Sequence, residues 1–218
     1  MVYEGKIAEL FSLIILPIMA VLPYADSYYC EKKYHVDICC LTRATRIRYF
    51  FSKALAVFMT SFMVIFIPYI LNQLYCLIAF PAERSRDIVF GTVYDRTWWF
   101  ELRNTPSPEL LMNNPGARNL LHILFAGCYG GSIGLLGFAL SLFIQKSRVI
   151  VNILPVVICF AWTLIALRLL GNDYVPALGI KMGLNQQIQS YMPMITIVVI
   201  TVISCPVGII IKFKKDLL

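Results

Sequence analysis

Runs of apolar residues near the length of a lipid-bilayer crossing recur along this chain, and they restrict it more than any other feature. They lie at 7–25, 54–80, 120–144, 149–170 and 191–211. A helix needs about 20 predominantly apolar residues to cross hydrocarbon. Inside a bilayer every backbone amide must find its partner within the protein, which leaves helices and closed barrels as the only spanning structures. The runs are predominantly apolar without alternation, although Glu9 interrupts the first and an Asn72-Gln73 pair lies in the second, so the expected fold is all-α: a polytopic integral membrane protein with about five transmembrane helices in one domain. Composition agrees, since 59% of residues are hydrophobic and 14% are charged, where a soluble domain carries about 25% charged. Several runs contain proline (Pro17, Pro23, Pro68, Pro193 and Pro206), which such helices accept when neighbours satisfy the freed carbonyls.

The distribution of Lys and Arg gives an orientation. Loop 26–53 carries six of them, loop 145–148 carries Lys146 and Arg148, and the C-terminal tail carries Lys212, Lys214 and Lys215. The other side has Lys6, Lys181 and five arginines in the long loop 81–119, where Glu83, Asp87, Asp95, Glu101 and Glu109 match them. By the positive-inside bias the denser side is cytoplasmic, with the N-terminus outside, the C-terminus inside and the cell membrane as the location. The net charge of +7 is thereby assigned to topology and anionic lipid, and nucleic-acid binding is set aside. Residues 1–25 do not read as a cleaved signal peptide. The stretch MVYEGK has no net charge, no small-x-small site follows, and cleavage would place the basic loop outside.

The basic loop has internal order. With Thr42 as N-cap, residues 42–53 read as a helix on which Arg43, Arg46, Phe50 and Lys53 share one face, while Leu41, Ile47 and Phe51 turn toward apolar material. An interfacial helix held only by lipid headgroups would have this pattern, and so would a helix that meets a partner protein. In the third run, AGCYGGSIGLLGFALS, Gly130, Gly134, Gly137 and Ser141 share a face and Gly127 with Gly131 forms a second small pair. Positions without bulky side chains let membrane helices approach closely. The stripe is therefore expected to serve helix packing, as an internal contact or a subunit seam, with a hinge as the alternative.

Enzymatic readings are weak. Gly130-Gly131-Ser132-Ile133-Gly134 matches the G-x-S-x-G pattern, yet it falls mid-span and not on a strand-to-helix elbow. His122 is ten residues upstream, about 15 Å along the same helix and out of reach. Cys30, His35, Cys39 and Cys40 contain no C-x-x-C pair, so no metal is assigned. The seven cysteines do not form a disulfide framework. No G-x-x-x-x-G-K-[ST] is present, so the chain holds no ATP in a P-loop of its own. Arg168, close to the outer end of its run, has Asp173 five residues on as a candidate partner. No run carries the central carboxylate that an ion-coupled secondary transporter uses.

The order PYADSYYCEKKYHVDICCLTRATRIRYFFSKAL, followed by a span and a long external loop, resembles ABC type-2 permeases, the membrane subunits of ATP-binding-cassette exporters, particularly the small Gram-positive ones. The resemblance extends from about residue 10 through the glycine-rich third span to the basic tail. It implies that Glu31, Leu41, Thr42, Arg43, Ala44, Thr45, Arg46 and Lys53 form a coupling segment that docks on a separate ATPase subunit. It further implies a second permease subunit, in a homo- or heterodimer, with ATP and magnesium held by the ATPase and no cofactor on this chain. The family usually has six spans with both termini inside, so five spans correspond to a chain without the family's first. The competing class is a non-transporting membrane partner, such as an assembly or immunity protein, in which the basic loop only sets topology.

Overall fold

The computed structural model describes residues 14–35, 45–79, 115–144 and 147–169, with isolated positions 195 and 198. The external loop 81–119 up to its last few residues, the fifth apolar run and the basic tail lie outside the described residues, as do Leu41, Thr42, Arg43 and Ala44. Among the described residues the chain is all-helical. Its helices are α1 (Leu16–Val21), α2 (Ser27–Lys33), α3 (Arg46–Ala79), α4 (Pro115–Phe143) and α5 (Arg148–Leu169). Three of them, α3, α4 and α5, are long and apolar enough to cross a membrane.

Helix α4 is central, and its direction relative to its neighbours follows from the packing. Gly127 lies against Phe62 and Gly131 against Phe58, while at the other end Asn119 donates to Gln73 at 3.3 Å. Rising numbers on α4 thus meet falling numbers on α3, and the two are antiparallel. Gly137 faces Pro155, and Cys159 packs with Ala126 and Tyr129, so α5 is antiparallel to α4 as well. Helix α1 runs parallel to α4, since the Ala20 carbonyl lies by Gly134 and both Val21 and Ala25 lie by Gly137. One end of the bundle therefore gathers α2, the start of α3, the end of α4 and the start of α5. The described part of basic loop 26–53, residues 26–35 and 45–53, lies at that end together with Ile144 and Ser147.

The outward faces of α3 and α5 are apolar. Leu55, Met59, Met63, Ile67, Leu71 and Leu74 are exposed on α3, and Ile150, Ile153, Val157, Phe160 and Leu164 on α5, all at helical spacing. In water a belt of this size would mark an interaction surface; against acyl chains it carries no penalty, and it is compatible with a membrane-embedded protein. Proline is accommodated as expected: Pro68 lies within α3 and the buried Pro155 within α5.

Two element boundaries differ from the reading of sequence. The apolar run 7–25 enters the described region as the short α1, which ends in a turn at 22–26 containing Pro23. Fixed backbone at Pro23 and the polar Asp26 stop the helix before the run's chemistry changes. The helix start expected after Thr42 lies outside the described residues, and the second run, expected over 54–80, lies in a helix that begins at Arg46 and continues without a break to Ala79. Thr45 precedes it, and its carbonyl accepts the Tyr49 amide at 3.1 Å. Residues 46–53 are thus the first two turns of a spanning helix, not a separate element.

Helix α2 ends on His35, a non-glycine residue at φ 57. The Tyr34 amide bonds to the Cys30 carbonyl at 3.1 Å and the His35 amide to the Lys32 carbonyl at 3.3 Å. This is a left-handed C-terminal cap, where glycine is favoured because it lacks a Cβ. His35→Gly is expected to stabilise the protein by about 0.5–1 kcal/mol, read as a small rise in midpoint on thermal unfolding in detergent.

Candidate functional site

Helix α2 is seven residues long and holds its place through side chains that reach three other helices. Tyr28 packs its ring on Phe50 of α3, 5.5 Å between centroids, and on Phe138 of α4 at 6.5 Å in an edge arrangement. Leu135, Leu142, Ala54 and Val57 complete this apolar cluster. Around it lie two ion pairs.

The first joins Glu31 of α2 to Lys53 of α3. Tyr49 and Lys53 are one turn apart on α3 and converge on the same carboxylate: the Tyr49 hydroxyl donates to Glu31, and the Lys53 ammonium lies 3.5 Å from the Tyr49 hydroxyl. The ammonium also sits over two rings, 6.0 Å from the Tyr28 centroid and 5.6 Å from that of Tyr49, a placement that stabilises a cation out of water. The Lys53 side chain is only 5% exposed and that of Glu31 25%. Desolvation of such a pair cancels much of its attraction, so its larger contribution is to specify one arrangement of α2 on α3.

The second pair joins Asp26, immediately before α2, to Arg148 at the head of α5. Asp26 is buried, and the Cys30 thiol lies 4.0 Å from the same carboxylate. Helix α2 is therefore tied to α5 through Asp26, to α3 and α4 through Tyr28, and to α3 again through Glu31.

Of the residues expected to dock an ATPase, Glu31 and Lys53 are brought into direct contact across 22 positions of sequence. Thr45 is exposed at the foot of α3, and Arg46 is that helix's first residue. Sequence reasoning missed Asp26, Tyr28, Tyr49 and Arg148. Asp26 did leave a signal, an acid directly after an apolar run on the side otherwise dominated by Lys and Arg. Arg148 was counted only for its sign.

The glycines of α4 fall into three contacts. A Cβ on Gly127 would lie 2.7 Å from the Phe62 ring, and one on Gly131 would lie 2.6 Å from the Phe58 ring. A Cβ on Gly130 would collide with Ile65, and one on Gly134 would come within 2.7 Å of the Ser61 Cβ. Gly137 faces inward to Ala25, where a Cβ would stand 2.8 Å away. The stripe thus seats α3 on one flank and α1 and α5 on the other. Ser141 is buried and donates to the Phe138 carbonyl at 2.6 Å, and Ser132 to the Tyr129 carbonyl at 2.7 Å. Both hydroxyls are therefore engaged by their own helix.

Around α2 the chemistry on offer is ion pairing and ring packing. The described residues contain no group of three His, Cys, Asp or Glu placed to hold a metal. No protein-family model, curated protein or solved structure matches the chain.

Proposed function

We propose that the chain is the membrane-spanning permease subunit of an ATP-driven ABC exporter, docking a separate ATPase through its first basic loop. The observation that carries this reading is the Glu31–Lys53 pair with its Tyr49 hydroxyl. The segment between His35 and Thr45 leaves α2 at one foot and enters α3 at the other, and this pair fastens the two feet together. A push on a loop anchored this way moves α2 and α3 as a unit. Because α3 runs unbroken from Arg46 to Ala79, displacement of its first turns is displacement of the whole apolar helix.

On this reading the basic end is cytoplasmic, five spans cross the plasma membrane with the N-terminus outside, and a second permease subunit completes the path. ATP and magnesium reside on the ATPase. Closure of the two nucleotide-binding domains drives the loop, tilting α3 and α4 to open an outward route.

The test is whether an ATP-binding-cassette ATPase is encoded beside this chain and co-purifies with it. Charge reversal at Arg43 and Arg46 together is expected to lower recovery of the ATPase about tenfold or more, with membrane insertion of the permease unchanged. Undiminished recovery with normal insertion would remove the docking assignment.

A further inference from the structure

Asp26 occupies the N-cap position of α2, where an Asp side chain ordinarily accepts a hydrogen bond from an amide of the first turn. It makes no such bond. Its backbone, at φ −89 and ψ 6, lies outside the extended conformation that aims a capping side chain at the helix. The carboxylate is given to Arg148 instead. Beside it, the Ser27 hydroxyl is buried with no hydrogen-bond partner. The two halves of the ion pair also differ sharply, for the Asp26 side chain is 6% exposed and that of Arg148 64%.

We propose that Asp26 is a two-position switch: paired with Arg148 it clasps α2 to the head of α5, and released it caps α2. Both positions satisfy the carboxylate, which makes them alternatives and not simply intact and broken states. In the released position the carboxylate accepts first-turn amides of α2, Arg148 is hydrated, and the Ser27 hydroxyl gains water. Leu22, Pro23 and Tyr24 of the preceding turn are exposed, and the change is confined to Asp26 between the buried Ala25 and Ser27. The shielded Glu31–Lys53 pair stays closed and serves as the pivot. Release frees α5 from α2 while α2 and α3 remain joined, so it decides which helices move together. This holds whether or not an ATPase is the partner.

Cys30 reports the switch, because its thiol sits against the Asp26 carboxylate in the clasped position. The full chain in phosphatidylcholine nanodiscs is treated with N-ethylmaleimide, and alkylation of Cys30 is followed by peptide mass spectrometry. Raising NaCl to about 1 M, where the screening length falls to about 3 Å, weakens a pair with one exposed partner. Alkylation of the native protein is expected to accelerate about fivefold or more across that change. Arg148→Gln is expected to react fast at both salt levels. So is Asp26→Ser, which can cap but cannot pair. Arg148→Lys is expected to keep the salt dependence. A rate in the native protein that is insensitive to salt overturns the proposal, and it needs no substitution. Protection of Cys30 in Asp26→Ser equal to that of the native chain overturns it as well.

Discussion

Gly134→Ala is expected to destabilise the helix bundle by about 1–3 kcal/mol, and Gly134→Leu by more than about 3 kcal/mol. The added Cβ meets the Ser61 Oγ and approaches the Ser61 Cβ at 2.7 Å, with the Ala20 carbonyl at 3.5 Å. Neither obstacle yields easily. Ser61 is fully buried and too short to fold away, and the carbonyl is fixed in α1. Relief requires α3 to move off α4, which opens voids along the same seam at Gly130 and Gly131. Gly127→Ala meets the edge of the Phe62 ring instead. That ring is half-buried and stacked between Phe58 and Phe66, so it yields by sliding against two other rings and not against fixed backbone, and the expected loss is below about 1 kcal/mol. Detergent-titrated unfolding of the purified protein measures all three. The diagnostic variant is Ser61→Gly combined with Gly134→Ala: if the collision is the cause, the double variant regains most of the loss. A double variant as unstable as Gly134→Ala alone would contradict that.

Lys53→Met comes second in expected size, at about 2–4 kcal/mol. It leaves the Glu31 carboxylate with the Tyr49 hydroxyl bond but with its counter-charge gone. Removing one member of a buried pair usually costs about 3–5 kcal/mol; the partial exposure of Glu31 admits water and lowers the figure. Removing both charges, as Glu31→Gln with Lys53→Met, is expected to restore stability to within about 1 kcal/mol of the native protein. The double variant then separates two properties. On the proposed permease function, if the pair joins the feet of the loop, its loss should leave the bundle intact while lowering the coupling of the partner's ATP hydrolysis to transport. Native coupling in a stable, charge-free variant would assign the pair to folding alone.

How much of this was legible differs from element to element. Helices α3, α4 and α5 could be bounded in advance because a bilayer requires long apolar helices and little else of comparable length does. Their ends moved by a few residues, chiefly at α3, where the helix extends back through Arg46 because nothing in RIRYFFSK interrupts it. Helix α1 could not be bounded, since an apolar run fixes hydrophobicity and not where a proline-containing turn will fall. The small-residue stripe of α4 was visible as a pattern, but its partners were not. Gly127 and Gly131 against Phe62 and Phe58 is a fact of rotation between two helices. Of the ion pairs, Glu31–Lys53 was approached through a family resemblance that named both residues without joining them. Asp26–Arg148 spans 122 positions, and the acid that follows the first apolar run did not name its partner.

The sequence alone determined what the chain is made of: helices of spanning length, a side where positive charge collects, and a central helix with room for close approach. Each follows from local composition, because the cost of an unsatisfied amide or a misplaced charge in hydrocarbon is incurred residue by residue. Which faces meet was decided only in three dimensions. Helices apolar on every side carry no amphipathic signal to say which face turns inward; that choice falls to shape, to glycines that admit a neighbour's side chain. The same holds for charge. Asp26, Glu31, Lys53 and Arg148 are ordinary loop and helix-end residues by position, and they became a clasp because α2 lies across the ends of three helices.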